Sequence, residues 1–307
     1  MWLVLALLSA VLLGGYDVFK KRSLRDNAVL PVLLIKTLLC ASFFLPLILL
    51  SWSGGLVPGN VGYVPSGPLN EHLLVVGKAV IVLSSWICGY FAIKHLPLTI
   101  VGPINASRPV MTLVGALLIY GEHLNGWQWA GVLLAIFSFF LLSRSGKKEG
   151  IDFVHNQWIF LLVVAAVLGA CSGLYDKYLL APQIAGGAGL NNMFVQGWYN
   201  LYQAVMMGLV IVLLWLPIRH KTTSFEWRWS IVLISLFLTA ADLAYFYALS
   251  QPGAMISVVS MVRRTSVLVS FTFGAFVFHE KNLKNKAFDL LLVLLGLICL
   301  FVGTSVY

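Results

Sequence analysis

WLVLALLSAVLLGGYDVFKK (residues 2–21) and QWIFLLVVAAVLGACSGLYDK (residues 157–177) decide how this chain is built. Each contains an apolar run of the length a helix needs to cross the hydrocarbon core, about 20 residues. Each closes on the same dipeptide, Tyr16-Asp17 in the first and Tyr175-Asp176 in the second. The echo continues downstream. Tyr90-Phe91 is answered by Tyr245-Phe246, Pro97 by Pro252 and Arg108 by Arg263, all at an offset of 155 residues. Glu122 and Glu280 lie 158 apart, and the Tyr-Asp pairs 159. Ordered matches with a slowly drifting offset are the mark of a diverged internal repeat.

Working outward, apolar segments fall near 2–20, 28–51, 72–93, 98–120, 126–143, 157–180, 192–216, 229–249, 253–278 and 286–305. Helices are expected, because in lipid every backbone polar group must find a partner within its own segment. The expected fold is therefore an all-α membrane protein of ten transmembrane helices. Residues 1–146 form a first five-helix repeat, 147–156 a cytoplasmic connector and 157–307 a second repeat. Five spans is an odd number, so the second copy is inverted. Inverted repeats carry their substrate site at the repeat interface near the bilayer midplane.

Composition agrees. Of 307 residues 60% are hydrophobic and only 10% charged, against about 25% charged in soluble domains. The net charge of +9 does not form a nucleic-acid patch. Its residues sort into alternate short loops: Lys20, Lys21, Arg22 and Arg25; Lys94; Arg144, Lys147 and Lys148; Arg219, Lys221 and Arg228; Lys281, Lys284 and Lys286. The intervening loops near 52–71, 121–125, 181–191 and 250–252 carry none. The positive-inside rule then places both termini outside the cytoplasm. Basic residues follow the first apolar run rather than precede it, so that run reads as a retained span and not as a signal peptide.

Cys40, Cys88, Cys171 and Cys299 lie inside apolar segments without metal-ligand spacing, and the six histidines are scattered. No metal and no cofactor are expected. HExxH, GxSxG, Walker-type and Rossmann patterns are absent from the sequence, so neither enzyme chemistry nor ATP hydrolysis is expected.

An ionisable group inside a span is costly unless it meets a partner or a polar cavity, so each one is a functional candidate. The basic ones are Lys36, Arg108, Arg263 and Arg264, with Lys78 nearer an end; the acidic ones are Asp17, Asp176 and Asp242. The basic surplus favours an anionic substrate, and arginine grips phosphate or carboxylate with a planar fork. Gln196, Asn200 and Gln203 recur at helical spacing and make one polar stripe. Tyr245, Tyr202 and Trp198 stand near these positions as cavity walls, or as an aromatic cage for a cationic group. Asp242, inside its span with Tyr245 three residues on, is the proton-coupling candidate. Arginine contacts to backbone carbonyls or to Asp242 are the competing reading of the basic residues. Asp17 has a simpler role open to it, pairing along its own helix with Lys20 or Lys21. Glu122 and Glu280 sit at span ends, where helix capping accounts for them.

Pro109-Val110-Met111 through Gly121-Glu122-His123-Leu124, followed by Gln128-Trp129-Ala130-Gly131, resembles the recurring pattern of the drug/metabolite transporter superfamily in its ten-span, EamA-like form. His279-Glu280-Lys281-Asn282-Leu283 is a second copy that lacks the glycine, and Gly14-Gly15 with Lys20 fits the end of the first span. Arg263-Arg264 is similar to the Lys-Arg pair with which sugar-phosphate/phosphate exchangers of that superfamily hold phosphate. The resemblance implies a secondary active transporter working by alternating access. It also implies cytoplasmic termini in many members, opposite to the charge count here.

The expected function is movement of a small organic metabolite, phosphorylated or carboxylated, by exchange or proton coupling. An exporter of amino acids, amines or drugs with an aromatic-lined site is one alternative, and a lipid-phosphate flippase another. The expected setting is the lipid bilayer of a bacterial inner membrane. Small residues at 169–173 suit close packing, within the bundle or between the protomers of a homodimer.

Overall fold

The computed structural model describes residues 2–60, 62–108, 110–111, 114–115, 125–147, 155–180, 183–249, 262–278 and 283–305. Glu122, Glu280, Pro252 and the motif stretches 121–124 and 279–282 lie outside them. Regular structure among the described residues is entirely helical. The α-helices are α1 (Trp2–Leu24), α2 (Val29–Trp52), α3 (Leu69–His95), α4 (Leu98–Ala106), α5 (Gly126–Lys147), α6 (Gln157–Leu180), α7 (Asn192–Val210), α8 (Trp229–Leu249), α9 (Ser266–Phe276) and α10 (Leu283–Ser305). Each overlaps one expected segment. Six of them, α1, α2, α3, α6, α7 with its continuation to Lys221, and α10, are long and apolar enough to cross a membrane. The chain is an integral membrane protein.

Local chemistry sets the helix ends. Asn191 caps α7, its side chain accepting from Met193 and Phe194 backbone N–H groups. Asn125 and Gln128 cap one another reciprocally ahead of α5, at 2.9 and 3.0 Å, the geometry of a capping box. Asn156 does the same service for α6 through Trp158 N–H. Pro97 forces the preceding Leu96 into extended backbone (φ −107°, ψ 149°) and so separates α3 from α4.

Helix pairing obeys a simple rule. The pairs α2–α7, α4–α9 and α5–α10 join helices five apart, and α1–α8 is matched by α3–α6. Exchanging each helix with the one five places away returns these pairs, and α3–α7 maps onto α2–α8 likewise, whereas lesser contacts such as α4–α10 and α1–α3 have no counterpart of similar extent among the described residues. Lipid tails are as apolar as leucine, so contact between helices relies on small residues and interhelical hydrogen bonds. Both appear here. Ser9 donates to the Ala241 carbonyl (2.6 Å) across α1–α8, and Ser85 to the Ala165 carbonyl (2.7 Å) across α3–α6. Ser138 donates to the Asp289 carbonyl (2.8 Å) across α5–α10. A Cβ at Gly14 would stand 2.4 Å from Val269, so only glycine lets α1 approach α9 this closely.

Candidate functional site

The charged side chains expected inside the membrane come from α1, α2, α3, α6, α8 and the segments just before α9 and after α4. All three aspartates are engaged. Asp17 accepts from Lys20 at 2.7 Å, one turn along α1, and from Ser270 of α9 at 3.4 Å. The intrahelical pairing expected for Asp17 is present, yet Lys20 is buried, its ammonium 4.3 Å from the Tyr16 ring centroid. Asp176 pairs with Lys78 of α3 at 2.5 Å. Asp242 pairs with Arg263, whose guanidinium also lies 4.5 Å from the Tyr245 ring centroid. Of the two adjacent arginines it is thus Arg263 that meets Asp242. Residues about 100° apart on a helix cannot both point there.

Arg264 is half-buried and, among the described residues, makes no ion pair or hydrogen bond. It lies within electrostatic range of Arg108, Arg263, Tyr245 and Asp17. Arg108 reaches α6, where its guanidinium covers Gly169; a Cβ there would come within 2.9 Å of it. Arg108 also falls within electrostatic range of Asp17 and Tyr16. The small residue at 169, read in the sequence as a packing position, is thus the seat of an arginine.

Lys36 is 0% exposed. A lysine this deep in α2 has not snorkelled to the interface. Its ammonium sits 3.0 Å from the centroid of the Trp86 ring, and it has no hydrogen-bond partner among the described residues. The stripe on α7 is buried at all three positions, Gln196, Asn200 and Gln203. Asn200 donates to the Gln196 carbonyl at 2.8 Å.

The remaining aromatics go elsewhere. Tyr202 hydrogen-bonds His72 at 2.7 Å, Trp198 donates to the Pro65 carbonyl at 3.1 Å, and the His72 and Trp198 rings meet edge-on at 4.7 Å. These contacts tie Pro65 and the first turn of α3 to α7. Two features were not singled out in the sequence: Trp86, a partly buried aromatic among many, and Lys78 as the partner of Asp176. Residues 78 and 176 are 98 apart, and no local spacing signals such a contact.

Comparison with known proteins bears on this arrangement. An uncharacterized transporter of Pseudomonas aeruginosa is 29% identical over 143 residues, 45% of this chain and 45% of that protein, so the match spans less than half of the relative's length. A solved structure, described simply as the crystal structure of a protein, superposes on 100% of this chain and 99% of its own with a TM-score of 0.61 at 14% identity, a likeness of fold alone. Residues 1–144 match the EamA-like transporter family. Over that stretch, just under half of the 307 residues, the chain is similar to EamA-like transporters.

Proposed function

We propose that this protein is a secondary active transporter that moves a small organic anion, phosphorylated or carboxylated, by alternating access. One observation carries the reading. Each aspartate of the central group is already engaged by a base, Lys20, Lys78 or Arg263. Lys36 and Arg264 make no ion pair of their own among the described residues. A buried cation without a counter-charge is costly, and an anionic substrate arriving between the helices would supply that charge. Arg108, beside Gly169, adds a third base to the same field.

The exchange symmetry of the helix pairs supports two inverted five-helix repeats, 1–146 and 157–307, rocking about the central group. Residues Arg264, Arg263, Arg108, Lys36, Gln196 and Asn200 then line the path, and Asp242 is the group able to exchange Arg263 for a proton. The aromatic-cage alternative has less support, since Tyr245 faces Arg263 while Tyr202 and Trp198 hold His72 and the Pro65 carbonyl.

Uptake into proteoliposomes tests the proposal. Sugar phosphates and small carboxylates should be taken up by the wild-type protein and not by Arg264→Ala or Lys36→Met. Uptake confined to amines or neutral amino acids, undiminished in both variants, would overturn it.

A further inference from the structure

Two buried side chains at one helix junction break the rule that buried polar groups are satisfied. Helices α2, α3 and α7 contact one another pairwise. On α2, Lys36 is 0% exposed; its ammonium has no hydrogen-bond partner among the described residues and stands 3.0 Å from the centroid of the Trp86 ring of α3. On α7, Gln203 is 1% exposed, and neither its amide nitrogen nor its amide oxygen has a hydrogen-bond partner among the described residues. Gln203 falls between Tyr199, which belongs to the apolar cluster around Ile48 and Phe194, and Met207, which belongs to the cluster around Leu33 and Tyr90. Trp86 packs against both clusters. Three polar side chains on α7 and α8 are already used: Asn200 on the Gln196 carbonyl, Ser235 on the Lys36 carbonyl, Asp242 on Arg263.

A glutamine amide presents a donor and an acceptor side by side. One group meets both at once if it carries the reverse edge, as a primary carboxamide or a lactam does. The geometry points to a substrate with two recognition elements: an anionic group that neutralises Lys36, and a carboxamide- or lactam-type edge that completes Gln203. Gln203 is then the specificity-determining residue of the path. This inference rests on the anion reading above and narrows it from anions in general to amide-bearing ones.

Succinamate and 4-methylpentanoate share one heavy-atom skeleton, and the second replaces the carboxamide by an apolar isopropyl group. Thermal unfolding of the purified full-length protein is followed with each. The wild type should bind succinamate at least roughly tenfold more tightly, since a site built for hydrogen bonds rejects an analogue that lacks them. Gln203→Leu should bind the two alike and, when empty, should unfold at a higher temperature than the wild type, because an unpartnered amide has been removed. Lys36→Met should lose both. Equal binding by the wild type, a succinamate preference surviving in Gln203→Leu, or a lower unfolding temperature of empty Gln203→Leu would each overturn the inference. If the wild type binds both carboxylates without preference, the anion reading stands and only this inference falls. Should it bind amines but neither carboxylates nor sugar phosphates, both fall together.

Discussion

Lys78 of α3 and Asp176 of α6 form an ion pair of 2.5 Å that ties the first half of the chain to the second. Beside it the Tyr175 hydroxyl donates to the Leu74 carbonyl at 3.2 Å, and the Lys78 ammonium stands 5.0 Å from the Tyr199 ring centroid. The Asp176 side chain is 36% exposed and that of Lys78 11%, so water screens the pair in part.

Removing one partner should therefore cost less than in a dry core. Asp176→Asn or Lys78→Met should destabilise by about 1–2 kcal/mol, below the 3–5 of a fully buried pair. The double variant should recover most of that loss. Unfolding temperatures of the four proteins in detergent provide the double-mutant cycle, and additive losses would show that the pair contributes nothing.

Asp242 and Arg263 give a second cycle with a functional readout. Asp242→Asn leaves Arg263 without its counter-charge, with side chains that are only 19% and 17% exposed in the pair. The expected loss is about 3 kcal/mol, and Asp242→Asn with Arg263→Gln should restore stability. If Asp242 is the proton-coupling group, transport by the double variant loses its response to an imposed pH gradient. A gradient response equal to that of the wild type would exclude Asp242 from coupling.

Three glycines separate close packing from helix propensity. Gly14→Ala puts a methyl 2.4 Å from the Val269 Cβ and 2.9 Å from the Ser266 carbonyl; backbone cannot yield, and the cost should be about 2–3 kcal/mol. At Gly208 nothing lies within 4 Å, so alanine there should stabilise by about 0.5–1 kcal/mol through propensity alone. Gly169→Ala meets only the movable end of Arg108. It should leave stability within about 1 kcal/mol of the wild type while weakening substrate uptake as Arg108 is displaced. Unfolding temperatures and proteoliposome uptake of the three variants check these outcomes.

Orientation is testable with reporters. The distribution of Lys and Arg among loops predicts an external C-terminus. Alkaline phosphatase fused after Tyr307 should be active, and a fluorescent protein at the same point dark. The reverse result would put both termini in the cytoplasm.

Much of this protein was legible in one dimension. Apolar runs of spanning length predict ten segments; a described helix overlaps each, and six are long and apolar enough to cross a membrane, because in lipid a continuous apolar run must satisfy its own backbone as helix. The caps at Asn125, Asn156 and Asn191 were not singled out in the sequence. Most of the intramembrane charges stood out against their apolar neighbours, but Lys286, read as a loop residue, and Asp289, not singled out, are both buried in α10.

Pairing among those charges was not legible. Asp17 with Lys20 is a local contact at helical spacing, visible in the sequence. Asp176 with Lys78, Asp242 with Arg263 rather than Arg264, and Arg108 against Gly169 are contacts between helices, set by how the bundle packs. The sequence by itself determined the all-helical membrane architecture and which residues had to be explained, through hydrophobic length and the cost of burying charge. Only the tertiary structure decided which cations are neutralised and that the Lys36 ammonium and the Gln203 amide are left unsatisfied among the described residues. The reason is physical: neutralisation depends on distances of a few ångströms between distant parts of the chain, and hydropathy along one segment carries no information about them.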